Sequence, residues 1–400
     1  MEKLAIESRF CLSVGLSIGA TVSMAMQEAA FGAADEPFSI VSMTLHDKAL
    51  AGAHDVELSG NIAYVPGKSN SLSVIDISDP ANPEILWYLS DPGIPDSETA
   101  LPVGDRLFLG TRDFLTLDVS DPRNPVILKK ISDRPRIDKI NGMIKVGDFV
   151  LAANKSGYVD AFDVSDMSNP VLYGALETKN QFDLQLPHDI DRYEDYIVIV
   201  DPNGFAPPVG KLGIIKVMKE GNILPVDQWK LVGKVEGKEL IGANRVQVKG
   251  SFAIVGGSFN PAAREEAGVG FSHIAVVDIS DPQNPIIVAE QPFHDHRGPN
   301  GLTIAGNVVF CAGGQTIAAY DIRSPTKPKL LVSQSFPVYK DFSKTDNYHD
   351  LIYRDGYLYV SAQSDNGFLI LKVEDKLVRE LASAFQKVWL PYRFDGQDIP

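Results

Sequence analysis

Seven polar side chains recur at one repeat position. Counting back six residues from the turn positions Gly60, Gly104, Gly147, Glu194, Gly250, Gly306 and Asp355 lands on His54, Glu98, Asn141, His188, Asn244, Asn300 and His349. All seven carry ligand or hydrogen-bonding atoms. Two chemistries are open to such a set. In the first, His54, Glu98, His188 and His349 hold a divalent metal, since imidazole and carboxylate suit Zn, Fe or Mn. An open coordination position would then activate water or substrate. Metal–nitrogen bonds of ~2 Å require these side chains to converge tightly. His296, in the run His294-Asp295-His296-Arg297, could reach in from a loop instead.

In the second chemistry no metal is needed. His188 or His349 acts as acid or base. Asn141, Asn244 and Asn300 bind hydroxyls or carbonyls. Arg245 or Arg297 pairs with a carboxylate or sulfate. Acidic sugars fit this set, as lyase or hydrolase substrates or as bound ligands. A plainer role competes with both: polar groups at a channel mouth are solvated or bonded to loop backbone. Each arginine taken alone reads as an exposed salt-bridge partner. Asp55, Asp189 and Asp350, each following a histidine, read as structural groups bonding backbone in the blade turn.

The elements that would position these residues are short strands. Leu72-Ser73-Val74-Ile75-Asp76-Ile77-Ser78-Asp79-Pro80-Ala81-Asn82-Pro83 returns in altered form at 115–125, 159–170, 274–285 and, more weakly, 317–325. A β-branched run ending in Asp-Pro and Asn-Pro is a strand followed by a tight turn. Before each copy stands a hairpin signal such as His54 to Val65 or His349 to Val360, with Gly-Asn or Asp-Gly between alternating runs. This makes seven units of three or four strands. Their inner strands start near residues 54, 98, 141, 188, 244, 300 and 349, at the spacing of propeller blades.

The phrase Leu72-Ser73-Val74-Ile75-Asp76 resembles the LVIVD repeat. The resemblance spans nearly all of residues 53–373 and implies a repeat propeller of exported or surface-associated type. It implies nothing specific about activity. The expected fold is therefore an all-β, seven-bladed β-propeller over residues 35–400, with six or eight blades as the competing count. Phe38 to His46 reads as an outer strand that completes the seventh blade. Inner strands would line the channel and start at one mouth, so the seven polar side chains should form one ring there. The long insertions, Pro202 to Lys211, Ser258 to Phe271, Phe293 to Asn300 and Lys340 to Tyr348, fall on that face, while the opposite face keeps tight turns. Asp375 to Lys387 shows helical spacing of Leu377, Val378, Leu381 and Phe385, expected to cap the outside of the ring.

Composition narrows the class further. The 400 residues carry a net charge of −15, which disfavours nucleic acid as a partner. Residues 1–34 read as a signal peptide. Phe10 to Met26 is apolar, and Gly32-Ala33-Ala34 suits a signal peptidase. The apolar stretch is short for a membrane span, and Ser8-Arg9-Phe10 before Cys11 lacks the small apolar residues of lipoprotein processing. The mature chain is thus expected in the periplasm or secreted, with no membrane span. It retains Cys311 as a buried small hydrophobe and has no internal disulfide. There is no Gly-rich phosphate loop, His-Glu-x-x-His, CxxC pair or Gly-x-Ser-x-Gly elbow. A small polar molecule or glycan is the expected partner. The rival reading is a non-catalytic propeller whose rim holds a protein or glycan.

Overall fold

The computed structural model describes residues 36–202, 209–257, 272–293, 295, 297–339, 347–374 and 377, and the backbone of Val22–Ser23. These residues form seven antiparallel blade sheets, six of four strands and the seventh of five, arranged from the channel outward, with one separate two-stranded hairpin. The inner strands are Glu57–Ser59, Thr99–Val103, Ile140–Val146, Asp189–Tyr193, Ala243–Lys249, Gly301–Ala305 and Tyr348–Arg354. All seven hairpin positions counted in the sequence have left-handed backbone, with φ between 51° at Glu194 and 58° at Gly250 and Gly306. Glycine fills five of them because it takes this conformation without a Cβ clash.

Alternation builds the core. In Tyr196–Asp201, Ile197 and Ile199 face the third blade, and Val198 and Val200 face the fifth. Each strand thus serves two interfaces. The result is seven hydrophobic clusters, one between each pair of neighbouring blades. The cluster joining blade seven to blade one combines Val56 and Ile75 with Tyr359 and Ile370. Phe38–Leu45 pairs antiparallel with Gly367–Val373 as the outer strand of the seventh sheet, and Val22 and Ser23 lie beside Leu45 and Thr44. The seam therefore joins a strand from near the start of the chain to one from near its end.

Every blade breaks register once between its third and fourth strands. Such bulges twist an edge strand away from pairing with another chain. Cys311 is buried and free, and burial pushes its thiol up.

Blade four departs from expectation. Its third and fourth strands, Gly210–Lys216 and Lys230–Gly237, are joined by a short hairpin, Met218–Lys219 with Asn222–Ile223. That insertion lies on the face opposite the polar ring, so blade four is an exception to the tight turns expected there. It is anchored by buried Met218 and Trp229 in the cluster between blades three and four. Apart from Val22–Ser23, the expected signal segment lies outside the described residues. So does the expected helix at 375–387, except Leu377, which is buried against blades six and seven. No helix among the described residues is long and apolar enough to cross a membrane.

Candidate functional site

The polar ring is built by the backbone. In blades three, five and seven the inner ladder skips one residue, and the skipped residues are Asn141, Asn244 and His349. A bulge re-aims the side chain of the extra residue. In the other four blades the ring residue keeps a ladder bond to the second strand. His54, Glu98 and His188 donate their N–H at 2.9 Å to Pro66, Gly110 and Val200, and Asn300 donates at 2.8 Å to Ala312. Six ring residues are buried and His188 is half-buried.

Around the ring, side chains reach from one blade to the next. His349 Nδ1 lies 2.9 Å from the carbonyl of His54, His54 Nδ1 lies 2.7 Å from that of Glu98, and His188 Nδ1 lies 2.8 Å from that of Asn244. A carbonyl only accepts, so each Nδ1 carries the proton. The Asn141 amide sits 2.9 Å from the same His188 Nδ1. Rotated so that its oxygen faces that N–H, the amide also satisfies an otherwise unpaired oxygen. Asn244 Nδ2 donates to Asn300 Oδ1 at 2.9 Å, and Asn300 Nδ2 donates to the Arg297 carbonyl at 3.2 Å. The rings of His54 and His349 lie against each other at a 36° tilt, with centroids 3.9 Å apart. Burial, and then nearby positive charge, holds all three histidines well below their ordinary 6.5. That charge comes from Lys68, Lys155 and Arg245 in each case, with His349 also acting on His54.

Glu98 is the anchor of a cationic cluster. Its carboxylate is fully buried, with Lys155 Nζ at 3.4 Å and Lys68 Nζ at 3.8 Å from Oε2, and Lys139 Nζ at 3.5 Å from Oε1. Lys139 also meets Asp96 at 2.9 Å. Three ammonium groups thus face two carboxylates. Lys139 holds φ at 87°, a left-handed conformation that a non-glycine residue rarely adopts. His54 Nε2 lies 3.3 Å from Glu98 Oε2 and has no hydrogen-bond donor. With its proton on Nδ1, it presents a lone pair to a carboxylate. The lysines offset that contact.

The sequence reading missed these lysines. Lys68 and Lys155 both follow the end of a second strand, eight residues after Gly60 and Gly147. Extending the repeat alignment to that turn would have found them.

One step further along the inner strands lies a buried ionic layer. Arg245 Nη2 stands 3.3 Å from Asp55 Oδ1 and 3.5 Å from Asp350 Oδ2, and Nη1 stands 4.0 Å from Asp189 Oδ1. Arg245 belongs to blade five, and its partners belong to blades one, seven and four. The guanidinium is not an exposed partner, and these carboxylates already occupy it. Asp55 and Asp189 do bond backbone, and they reach across to the next blade to do so. Asp55 accepts from Ala100 N at 3.2 Å and Asp189 from Val246 N at 2.9 Å, each on the next blade's inner strand. Burial holds Asp350 well above its ordinary value, while, against the same burial, hydrogen bonding from Asp350 and the Arg245 charge hold Asp55 below its own. Burial likewise pushes Asp189 up to about 7.

Among the described residues, no three His, Cys, Asp or Glu side chains are grouped to hold a metal ion. The set expected from the sequence was His54, Glu98, His188 and His349. Each imidazole gives Nδ1 to a carbonyl and keeps Nε2 as its open nitrogen, but three ammonium groups stand around Glu98, where a cation would have to enter. Arg297 is exposed. Its backbone N–H bonds Asp295 and its carbonyl accepts from Asn300. His296 lies outside the described residues, as do 203–208, 258–271 and 340–346 of the expected mouth loops.

The family model of the LVIVD repeat matches residues 52–87, 144–178 and 269–290. No curated protein matches the sequence. Among solved structures, the computationally designed Ika8 protein aligns with a TM-score of 0.51 at 11% identity, covering 82% of this chain and 98% of that one. BamB from Moraxella catarrhalis aligns with a TM-score of 0.51 at 12% identity, covering 80% and 85%. At these identities the likeness concerns the fold. The chain is a seven-bladed β-propeller that carries LVIVD repeats.

Proposed function

We propose that this propeller binds a small polar anion, of the kind a sugar acid presents, at the mouth that carries the polar ring. One observation carries the reading: the ammonium groups of Lys68, Lys139 and Lys155 converge on Glu98 beside the ring, within a chain of net charge −15. A carboxylate or sulfate gains charge-assisted hydrogen bonds from the lysines. Half-buried His188 and the amides of the ring offer partners for hydroxyls. The ligand is held without a metal. Residues 1–34, read as a signal peptide, place the binding event in the periplasm or outside the cell.

Galacturonate and galactose, compared by titration calorimetry, test this. The acid should bind and the neutral sugar should bind at least about tenfold more weakly, because one charge-assisted bond contributes about 1.5–3 kcal/mol. Added salt should weaken the acid selectively. Lys68→Met should reproduce that loss while the circular dichroism spectrum is kept. Equal affinity for the two sugars would remove the site. Loss of binding only on changing exposed rim residues would favour the non-catalytic scaffold.

A further inference from the structure

We infer that Lys155 is an amine nucleophile, and that the ligand it takes is a carboxylate bearing an aldehyde or keto group. This rests on the anion site above and goes beyond it, from binding to covalent chemistry.

The geometry sets Lys155 apart from its neighbours. Its ammonium and that of Lys68 approach the same oxygen of Glu98, at 3.4 and 3.8 Å, and Lys139 approaches the other oxygen at 3.5 Å. Lys155 is the most enclosed of the three, with its side chain 19% exposed against 31% and 35%. One carboxylate cannot compensate three ammonium groups, and Lys139 has Asp96 as a second partner. The proton most easily shed belongs to the enclosed lysine crowded by its own kind. Burial, with Lys68 and Lys139 adding to it, pushes Lys155 down to about 8. At pH 7 about a tenth of such a group is free amine, against about one part in 3,000 for an ordinary lysine. Lys68 and Lys139 remain as cations to hold a carboxylate next to the attacking nitrogen.

The step is an imine condensation. The Lys155 nitrogen lone pair attacks the carbonyl carbon and forms the C–N bond. The carbonyl oxygen then leaves as water, carrying both hydrogens of the amine. No oxidant or reductant takes part.

Glyoxylate with cyanoborohydride, which traps the imine, is the test on the intact protein at pH 7. Peptide mass spectrometry should find Lys155 labelled at least tenfold faster than exposed Lys48 or Lys219. Propionaldehyde, which lacks the carboxylate, should show less preference for Lys155. Lys155→Arg, which keeps the charge on Glu98, should leave no fast site. In Lys68→Met the preference for glyoxylate over propionaldehyde should shrink. Uniform labelling of all lysines, with galacturonate still bound, overturns the nucleophile and leaves the anion site standing. If galacturonate fails to bind as well, both readings fall.

Discussion

Asparagine and histidine interchange around the ring because each offers an N–H at similar reach from the backbone. His349 spends its Nδ1 proton on the His54 carbonyl, and Asn300 spends its Nδ2 proton on the Arg297 carbonyl. His349→Asn should therefore keep the inter-blade bond and remove a titration. Burial holds the folded His349 well below 6.5, so below pH 6.5 the unfolded chain takes up a proton that the native state refuses. Its contribution is complete above pH 6.5 and is lost as the pH falls. Asp189 acts in the opposite sense: its folded value is raised, and its contribution declines as pH climbs from 3.8 toward about 7. Both proteins contain Asp189, so the difference between them is the readout. Between pH 8 and pH 5 the thermal midpoint of His349→Asn should fall less than that of the wild type. Parallel curves would mean that His349 does not titrate on unfolding.

At the level of strands, the ring register was legible because the hairpin turn is punctuated in every unit and the period is regular. Lys68 and Lys155 needed the count carried forward from the same turns, eight residues on and past the repeated phrase. The aspartates bond backbone as expected, but their partners were misplaced for a related reason. A repeat alignment shows what lies within a blade, whereas Asp55 and Asp189 bond the backbone of the next blade. Blade contact also explains two glycines. A Cβ on Gly301 would stand 2.5 Å from the Asp350 Cα, and one on Gly142 would stand 2.3 Å from Asp189 Oδ1. At Gly301 the obstacle is backbone, so the inner strands of blades six and seven must move apart. Gly301→Ala should cost about 1–3 kcal/mol, as overpacked cores do. It should also disturb Asp350, the partner of Arg245. Thermal unfolding checks this, and a midpoint equal to the wild type would show that the two strands have slack.

A propeller is held together mainly by contacts between neighbouring blades, and its seven hydrophobic clusters follow that rule. Arg245 breaks it, because a side chain of blade five meets carboxylates of blades seven and one as well as blade four. It is a tie across the channel that includes the blade seven to blade one seam. No sequence pattern shows which side chains meet across an axis, so this contact needed the closed ring to be seen. Truncating one member of a buried ionic cluster leaves the others unpaired, which typically costs 3–5 kcal/mol. Arg245→Ala should lose about that much, because three buried aspartates would be left without the guanidinium they surround. Arg245→Met combined with Asp55→Asn, Asp189→Asn and Asp350→Asn removes the charge from all four positions and should recover part of the loss. Comparing the thermal midpoints of the two variants separates charge from volume. Near-equal midpoints would assign the loss to missing side-chain volume, and an Arg245→Ala protein as stable as the wild type would show that the ring closes without its tie.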